Sequence, residues 1–393
     1  MKLFRTLSTT RLIMLVLAVA VLASAATTIA VASGGSSGRT PPPKPLAQAL
    51  HDALAAPTPA GISARITFTN NLFPSGALTG NVGSALMSAA SGRLWATNDG
   101  RGRLELQSDA GDVQIVWNQN DVSIFDASSN MVYKAKLPAH SAGQSGSTEQ
   151  GGIPTVTQIS DFLAKLGTHA DLSGAKPTNV AHQEAYSVRV SPKHDGGLLG
   201  AGELAWDAAR GVPLRLGIYA HGSSAPVLEL TATKISYGPV SSGDVSISPP
   251  ASAKTVDLGS LGSDSAHRAA TKPEVNGLPA VQKAAGFSLV APATLVGLPR
   301  QDVRLVGGSH SKSVLAVYGQ GLGAIVVVER KAGSTGQGGP LGSLPSVAIN
   351  GATGHELATQ LGTAVTWSHA GVAYVLAGSV PAAAAEAAAR ELK

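Results

Sequence analysis

Residues 93–137 read RLWATNDGRGRLELQSDAGDVQIVWNQNDVSIFDASSNMVYKAKL, and this run sets the fold class. Five short segments, 93–97, 103–108, 112–118, 121–126 and 131–137, recur at close to ten-residue spacing. Between them stand Asn98-Asp99-Gly100, Asp109-Ala110-Gly111, Asn118-Gln119-Asn120 and Ser128-Ser129-Asn130. Those residue types tolerate the positive φ that tight hairpin turns require. Within 112–118, Val113, Ile115 and Trp117 point one way while Gln114 and Val116 point the other. The period of two predicts an antiparallel meander with one apolar face.

Upstream, Leu46, Leu50 and Leu54 stand four apart, the spacing of one helix face, and Pro57 and Pro59 end that helix. A strand at 62–69 follows, then a Gly/Ser/Ala-rich loop over 70–91. Downstream of a polar segment at 138–152, residues 155–167 align Val156, Ile159, Phe162, Leu163 and Leu166 on one helical face. A second strand series runs through 185–190, 202–207, 213–219 and 227–235, closing near 245–250. The prediction is an α+β fold. Residues 46–250 form a large curved antiparallel sheet of roughly 10–11 strands, an unclosed half-barrel, because a sheet that size must curl or split. Its two helices act as lids.

Residues 251–272 form a Ser/Ala/Gly-rich boundary, and 273–393 read as a small α+β domain. That domain opens with a helix at 278–285 and a strand at 287–290. Further strands follow at 303–306, 314–318, 324–329, 346–349, 353–359, 364–367 and 371–376, and the helix 381–392 ends the chain. Ser379 is the candidate N-cap of that helix.

The other end sets the expected compartment. Lys2, Arg5 and Arg11 precede an apolar run from Leu12, with small-residue patterns at 23–25 and 30–32. Residues 1–32 therefore read as a secretory signal or as an N-terminal membrane anchor; both place the remainder outside the cytoplasm. Residues 33–45 read as a Gly/Ser/Pro linker. The formal net charge of +5 falls to +2 without the three N-terminal cations, and no other basic run exists, so nucleic acid is not an expected partner. With no cysteine, disulfides, thiolate metal sites and a lipid-modified cysteine are excluded.

Catalytic motifs do not assemble. Gly34-Gly35-Ser36-Ser37-Gly38 matches a nucleophile elbow but lies in the linker, without the flanking strand and helix that geometry needs. Gly319-Gln320-Gly321-Leu322-Gly323 separates two strands and reads as a hairpin turn. His355-Glu356 does not continue to a second histidine at Thr359, so the zinc-helix pattern fails. Asp109 and Asp112 flank a turn. No metal, cofactor or catalytic residue is assigned.

What remains is apolar surface. Two short helices cannot cover so many strands, which leaves part of the inner face for a lipid-like ligand. The pool of lining residues is Ile66, Phe68, Trp95, Val113, Ile115, Trp117, Phe125, Leu204, Trp206, Leu216 and Ile218. Leu50, Leu54, Ile159, Phe162 and Leu163 are the lid candidates.

The order of elements, with Gly92-Arg93-Leu94-Trp95, Glu184–Pro192, Trp206-Asp207-Ala208-Ala209-Arg210-Gly211-Val212-Pro213-Leu214-Arg215 and Ser248-Pro249-Pro250, resembles the periplasmic LolA/RseB-like superfamily over about 46–250. That superfamily comprises lipoprotein carriers and an envelope-stress sensor. The C-terminal unit, from Gly286-Phe287 to Trp367-Ser368-His369 and Tyr374-Val375-Leu376, resembles a domain of unknown function of the DUF4367 type. The resemblance implies a non-enzymatic protein that holds a lipid or lipoprotein acyl chain. The alternative is a membrane-tethered sensor of RseB type acting through a membrane protein partner. A third class, a secreted hydrolase, lacks any motif here.

Overall fold

The structure is a computed structural model of the 393-residue chain, and it describes residues 38–72, 85–87, 89–137, 153–194, 196–257, 275–307, 312–333 and 344–393. The segment 1–32, the first part of the linker, and most of 73–88, 138–152 and 258–272 lie outside the described residues. Among the described residues no helix is long and apolar enough to cross a membrane.

The first unit is the expected open sheet, larger than the sequence suggests: 13 strands instead of 10 or 11. In chain order they are β1 (Gly61–Asn70), β2 (Ala90–Thr97), β3 (Gly102–Ser108), β4 (Gly111–Trp117), β5 (Asp121–Asp126), β6 (Met131–Lys136), β7 (Ala170–Leu172), β8 (Lys176–Val180), β9 (Gln183–Pro192), β10 (Leu199–Asp207), β11 (Pro213–Ala220), β12 (Pro226–Tyr237) and β13 (Lys254–Asp257). Spatially the order is β13-β6-β5-β4-β3-β2-β1-β12-β11-β10-β9-β7, with β8 also on β9. All neighbours are antiparallel except β13, which lies parallel to β6. Register shifts at Arg65/Ile66, Ala205/Trp206 and Ile218/Tyr219 insert extra residues that bend the strands. The turn residues act as their chemistry requires: Gly100 and Gly111 have φ of 84° and 123°, and Asn130 has 52°.

Helix α1 (Leu46–Ala55) buries Ala49 against Tyr186, Val188 and Trp206 of β9 and β10, with Leu46, Leu50 and Ala53 beside it. Helix α2 (Val156–Leu166) starts on a capping box in which Thr155 and Gln158 satisfy each other's backbone donors. The proline half of the linker does not stand off from the domain. Tyr186 Oη donates to the Pro42 carbonyl at 2.6 Å, and Asn179 Nδ2 donates to that of Arg39 at 2.9 Å. Lys44 Nζ bonds Asp52 on α1 at 2.6 Å.

The second unit is an antiparallel sheet of eight strands ordered β14-β15-β16-β17-β21-β20-β19-β18. These are β14 (Thr294–Leu295), β15 (Leu298–Val306), β16 (Ser313–Tyr318), β17 (Ile325–Lys331), β18 (Ser346–Ile349), β19 (Ala352–Thr359), β20 (Gly362–His369) and β21 (Val372–Gly378). Helices α3 (Leu278–Ala285) and α4 (Ala382–Glu391) pack Val281, Ala285, Ala385, Ala388 and Ala389 on one face of it. The strand expected at 287–290 does not form. Its Val290 N–H goes instead to the side chain of Glu329, at 3.0 Å. Ser379 does not cap α4: its hydroxyl donates to the Leu361 carbonyl at 2.7 Å, and Pro381 holds the cap position.

Candidate functional site

Cross-strand register decides which side chains share a face of the large sheet. Tyr133, Ile124, Ile115, Leu104, Leu94 and Ala64 are successive partners from β6 to β1. One step along, Val113, Leu106, Gly92 and Ile66 are partners, and Phe68 faces Leu230, which faces Leu216 and then Leu204. Nine of the eleven lining candidates therefore lie on one apolar face: Ile66, Phe68, Val113, Ile115, Trp117, Leu204, Trp206, Leu216 and Ile218. Trp95 and Phe125 do not. Trp95 is opposite Arg103 and Phe125 opposite Gln114, which puts both on the polar face. Arg103 lies 5.7 Å from the centroid of the Trp95 ring.

The apolar face has two wings. On the β9–β10 wing, α1 covers Trp206, whose ring stands 6.1 Å from that of Tyr186, and Leu204 borders the same cluster. This part of the face is filled by the protein's own helix. On the β1–β6 wing, Ile66, Leu106 and Val113 are buried, and Ala85 joins them from the β1–β2 connection. Leu94, Leu104, Ile115, Ile124 and Phe68 around them are only half-buried. Trp117 lies across Gly102, where even a Cβ would stand 2.1 Å from the ring. Leu216 and Ile218, between the wings, are half-buried.

The lid candidates divide as well. Leu50 packs with Tyr186 and Trp206, and Ile159 is buried. Leu163 is half-buried, while Leu54 and Phe162 are 39% and 53% exposed. Helix α2 rests on α1 and is fastened there by His51 Nδ1, which donates to the Pro154 carbonyl at 2.9 Å. Sequence reasoning did not name Leu94, Leu104 and Ile124 among the candidates for this face. Their alternation was legible, but only the register shows that they join Ile115 in one row.

The opposite face carries a polar cluster on β9–β11. Glu203 bonds Arg215 at 2.6 Å and approaches Arg189 at 3.7 Å, and Arg189 stacks 4.1 Å from the Tyr219 ring centroid. A depression of about 310 Å³ at the hairpin turns is polar, lined by Asp99, Arg101, Asn118, Gln119 and Asn120. Arg101 and Thr97 hold Asp99 down at about 2, as the acid of an exposed ion pair. No cluster of three or more metal-ligating side chains occurs among the described residues.

No protein-family model matches the chain, and no curated protein matches it. Among solved structures it is similar to MucB in complex with MucA(peri), at 14% identity and a TM-score of 0.41, over 88% of this chain and 94% of that one. It is also similar to the Pseudomonas aeruginosa MucA/MucB complex, at 14% identity and a TM-score of 0.39, over the same 88% and 94%. A putative outer membrane lipoprotein-sorting protein domain from Vibrio parahaemolyticus matches at 10% identity and a TM-score of 0.23, over 51% of this chain and 95% of that domain.

Proposed function

We propose that the chain is an extracytoplasmic, non-enzymatic binding protein for a lipid or lipoprotein acyl chain, held on the apolar face of β1–β6. One observation carries this: the row Tyr133, Ile124, Ile115, Leu104, Leu94 runs in register across adjacent strands and stays half-buried, beyond the reach of α1. Six strands at about 4.8 Å spacing span about 24 Å, room for an extended alkyl chain. Each methylene buried there contributes about 0.8 kcal/mol, so affinity needs no charged group. The extracytoplasmic part of this reading is supported by residues 1–32, whose basic and apolar pattern reads as an export segment or anchor.

A second function, sensing through a protein partner in the manner of an RseB-type regulator, is favoured by the contact between the two units. Leu198 N–H, in the β9–β10 turn, donates to the Ser379 carbonyl at 3.1 Å and to its hydroxyl at 3.0 Å. Occupancy of the large sheet then has a route to the second.

Native mass spectrometry of the protein purified from its own host tests the binding function. Co-purified acyl-chain masses, displaced by added fatty acid, are expected. A ligand-free protein that also fails to take up added fatty acid or acylated peptide ends it. Crosslinking that captures one membrane protein only when the acyl site is filled moves the conclusion to the sensor.

A further inference from the structure

The polar face of the large sheet carries a feature that acyl binding does not use. Lys234 of β12 is the cross-strand partner of Arg65 of β1, and Arg65 is the partner of Arg93 of β2. All three are exposed. With strands about 4.8 Å apart, three cations stand in a line about 10 Å long. Like charges directly opposite each other destabilise a sheet, so this row works against the fold that carries it. The nearest acid does not relieve it. Glu105 faces Arg93 from β3, yet its carboxylate is engaged by Arg103 on its own strand. Among the described residues the side chains of Lys234, Arg65 and Arg93 take part in no hydrogen bond or ion pair; the one side-chain contact to this row, from the Thr233 hydroxyl, goes to the Arg65 backbone carbonyl at 3.3 Å. The flanking positions on β12 and β1 are short hydroxyls, Ser236 and Ser63 on one side and Thr231 and Thr67 on the other, so the cations stand clear of their neighbours.

We infer that Lys234, Arg65 and Arg93 form a docking surface for an anionic phospholipid membrane. An acidic polypeptide fits this place less well. The three strands are interior to the sheet, so their backbone groups are committed to the ladder and no strand can be added beside them. A flat array of phosphates needs no strand to pair with. Docked this way, the protein turns its apolar face away from the bilayer plane. The inference is independent of what that face binds.

Partitioning of the full-length chain onto vesicles of phosphatidylcholine, and of equimolar phosphatidylcholine and phosphatidylglycerol, tests it. The apolar N-terminal segment contributes to both, so the readout is the ratio of the two partition coefficients. In the variant R65Q/R93Q/K234Q the ratio is expected to fall on the order of 100-fold, at roughly fivefold per basic side chain. K165Q/K283Q/K331Q, which removes three exposed lysines elsewhere, should change it by about twofold or less. R65K/R93K, which keeps the charges, should keep the ratio, and added salt should lower it in the parent chain. The row variant should melt no lower than the parent, since it loses only repulsion. An equal fall in both triple variants, a parent ratio of one, or tighter binding of polyglutamate than of anionic vesicles through these residues overturns the inference.

Discussion

Tyr237 Oη donates to Asp207 Oδ2 at 2.5 Å, tying the end of β12 to the turn that follows β10. Asp207 is 2% exposed, and its Oδ1 accepts the backbone N–H groups of Ala209 and Arg210 at 2.8 and 2.9 Å. Arg210 closes the cluster, with its guanidinium 4.3 Å from the Tyr237 ring centroid and Nη1 3.6 Å from Asp207. The turn so fixed carries Gly211 at a φ of 67°, where a Cβ would stand 2.2 Å from the Ala53 carbonyl of α1. One buried carboxylate thus sets the turn on which the helix sits.

Tyr237→Phe removes one donor from a buried carboxylate and should cost about 1–3 kcal/mol. Asp207→Ala should cost more, since three donors and the turn lose their acceptor together. The urea midpoint, at unchanged m-value, measures both. Burial and the adjacent carboxylate push the Tyr237 phenol far above its ordinary range, so the bond should persist through mildly alkaline pH.

The face assignment predicts opposite outcomes for substitutions on β4 and β2. Ile115→Asn, in the half-buried row, should reduce retention of acyl chains at least tenfold, because an amide in that row stays unpaired against alkyl surface. Trp95→Ala, on the polar face, should leave retention unchanged and cost about 1 kcal/mol from its Arg103 contact. Fluorescent fatty-acid titration reads the first effect and thermal unfolding the second. Loss of binding in Trp95→Ala alone would reverse the two faces.

Much of the architecture was legible because period-two alternation and turn chemistry agree along the chain. The meander from Arg93 onward and the helices at Leu46, Val156, Leu278 and Ala382 all form close to where pattern places them. The short strands β7, β8, β13 and β14 carry too few residues for a period to show. Phe287–Val290 has strand-like composition, yet its backbone is claimed by a side chain 39 residues away. The candidate lining residues were picked as alternating apolar positions. Which face each joins depends on pairing between strands, and Trp95 and Phe125 show that alternation alone does not carry that information.

The joint between the two units rests on little room. Gly197 has a φ of 58°, and a Cβ there would stand 2.3 Å from the Ser379 carbonyl. Gly197→Val should therefore separate the β9–β10 turn from the second unit and break both Leu198 hydrogen bonds. Small-angle scattering should record a larger radius of gyration, with the melting of each unit otherwise retained. An unchanged radius would show that the units are held by contacts other than this one.

Glu329 gives the second unit its expected pH dependence. It is 1% exposed, its Oε2 accepts Val290 N–H at 3.0 Å, and its Oε1 has no hydrogen-bond partner. Burial raises this carboxyl to about 7, against an ordinary value of 4.5. The phenols beside it, Tyr318 and Tyr374, are themselves pushed up to about 12 and stay neutral over that interval. Between 4.5 and 7 the folded unit keeps a proton that the unfolded chain has released, so stability falls as pH rises through this window. Below it the stability is at its maximum; above it the loss, on the order of 3 kcal/mol, is complete. Glu329→Gln keeps an acceptor for Val290 and removes the ionisation, so the variant should melt higher than the parent at pH 8 and no higher at pH 4.5. Calorimetry of parent and variant across that range checks the sign, and a parent whose second unit gains stability toward pH 8 would contradict it.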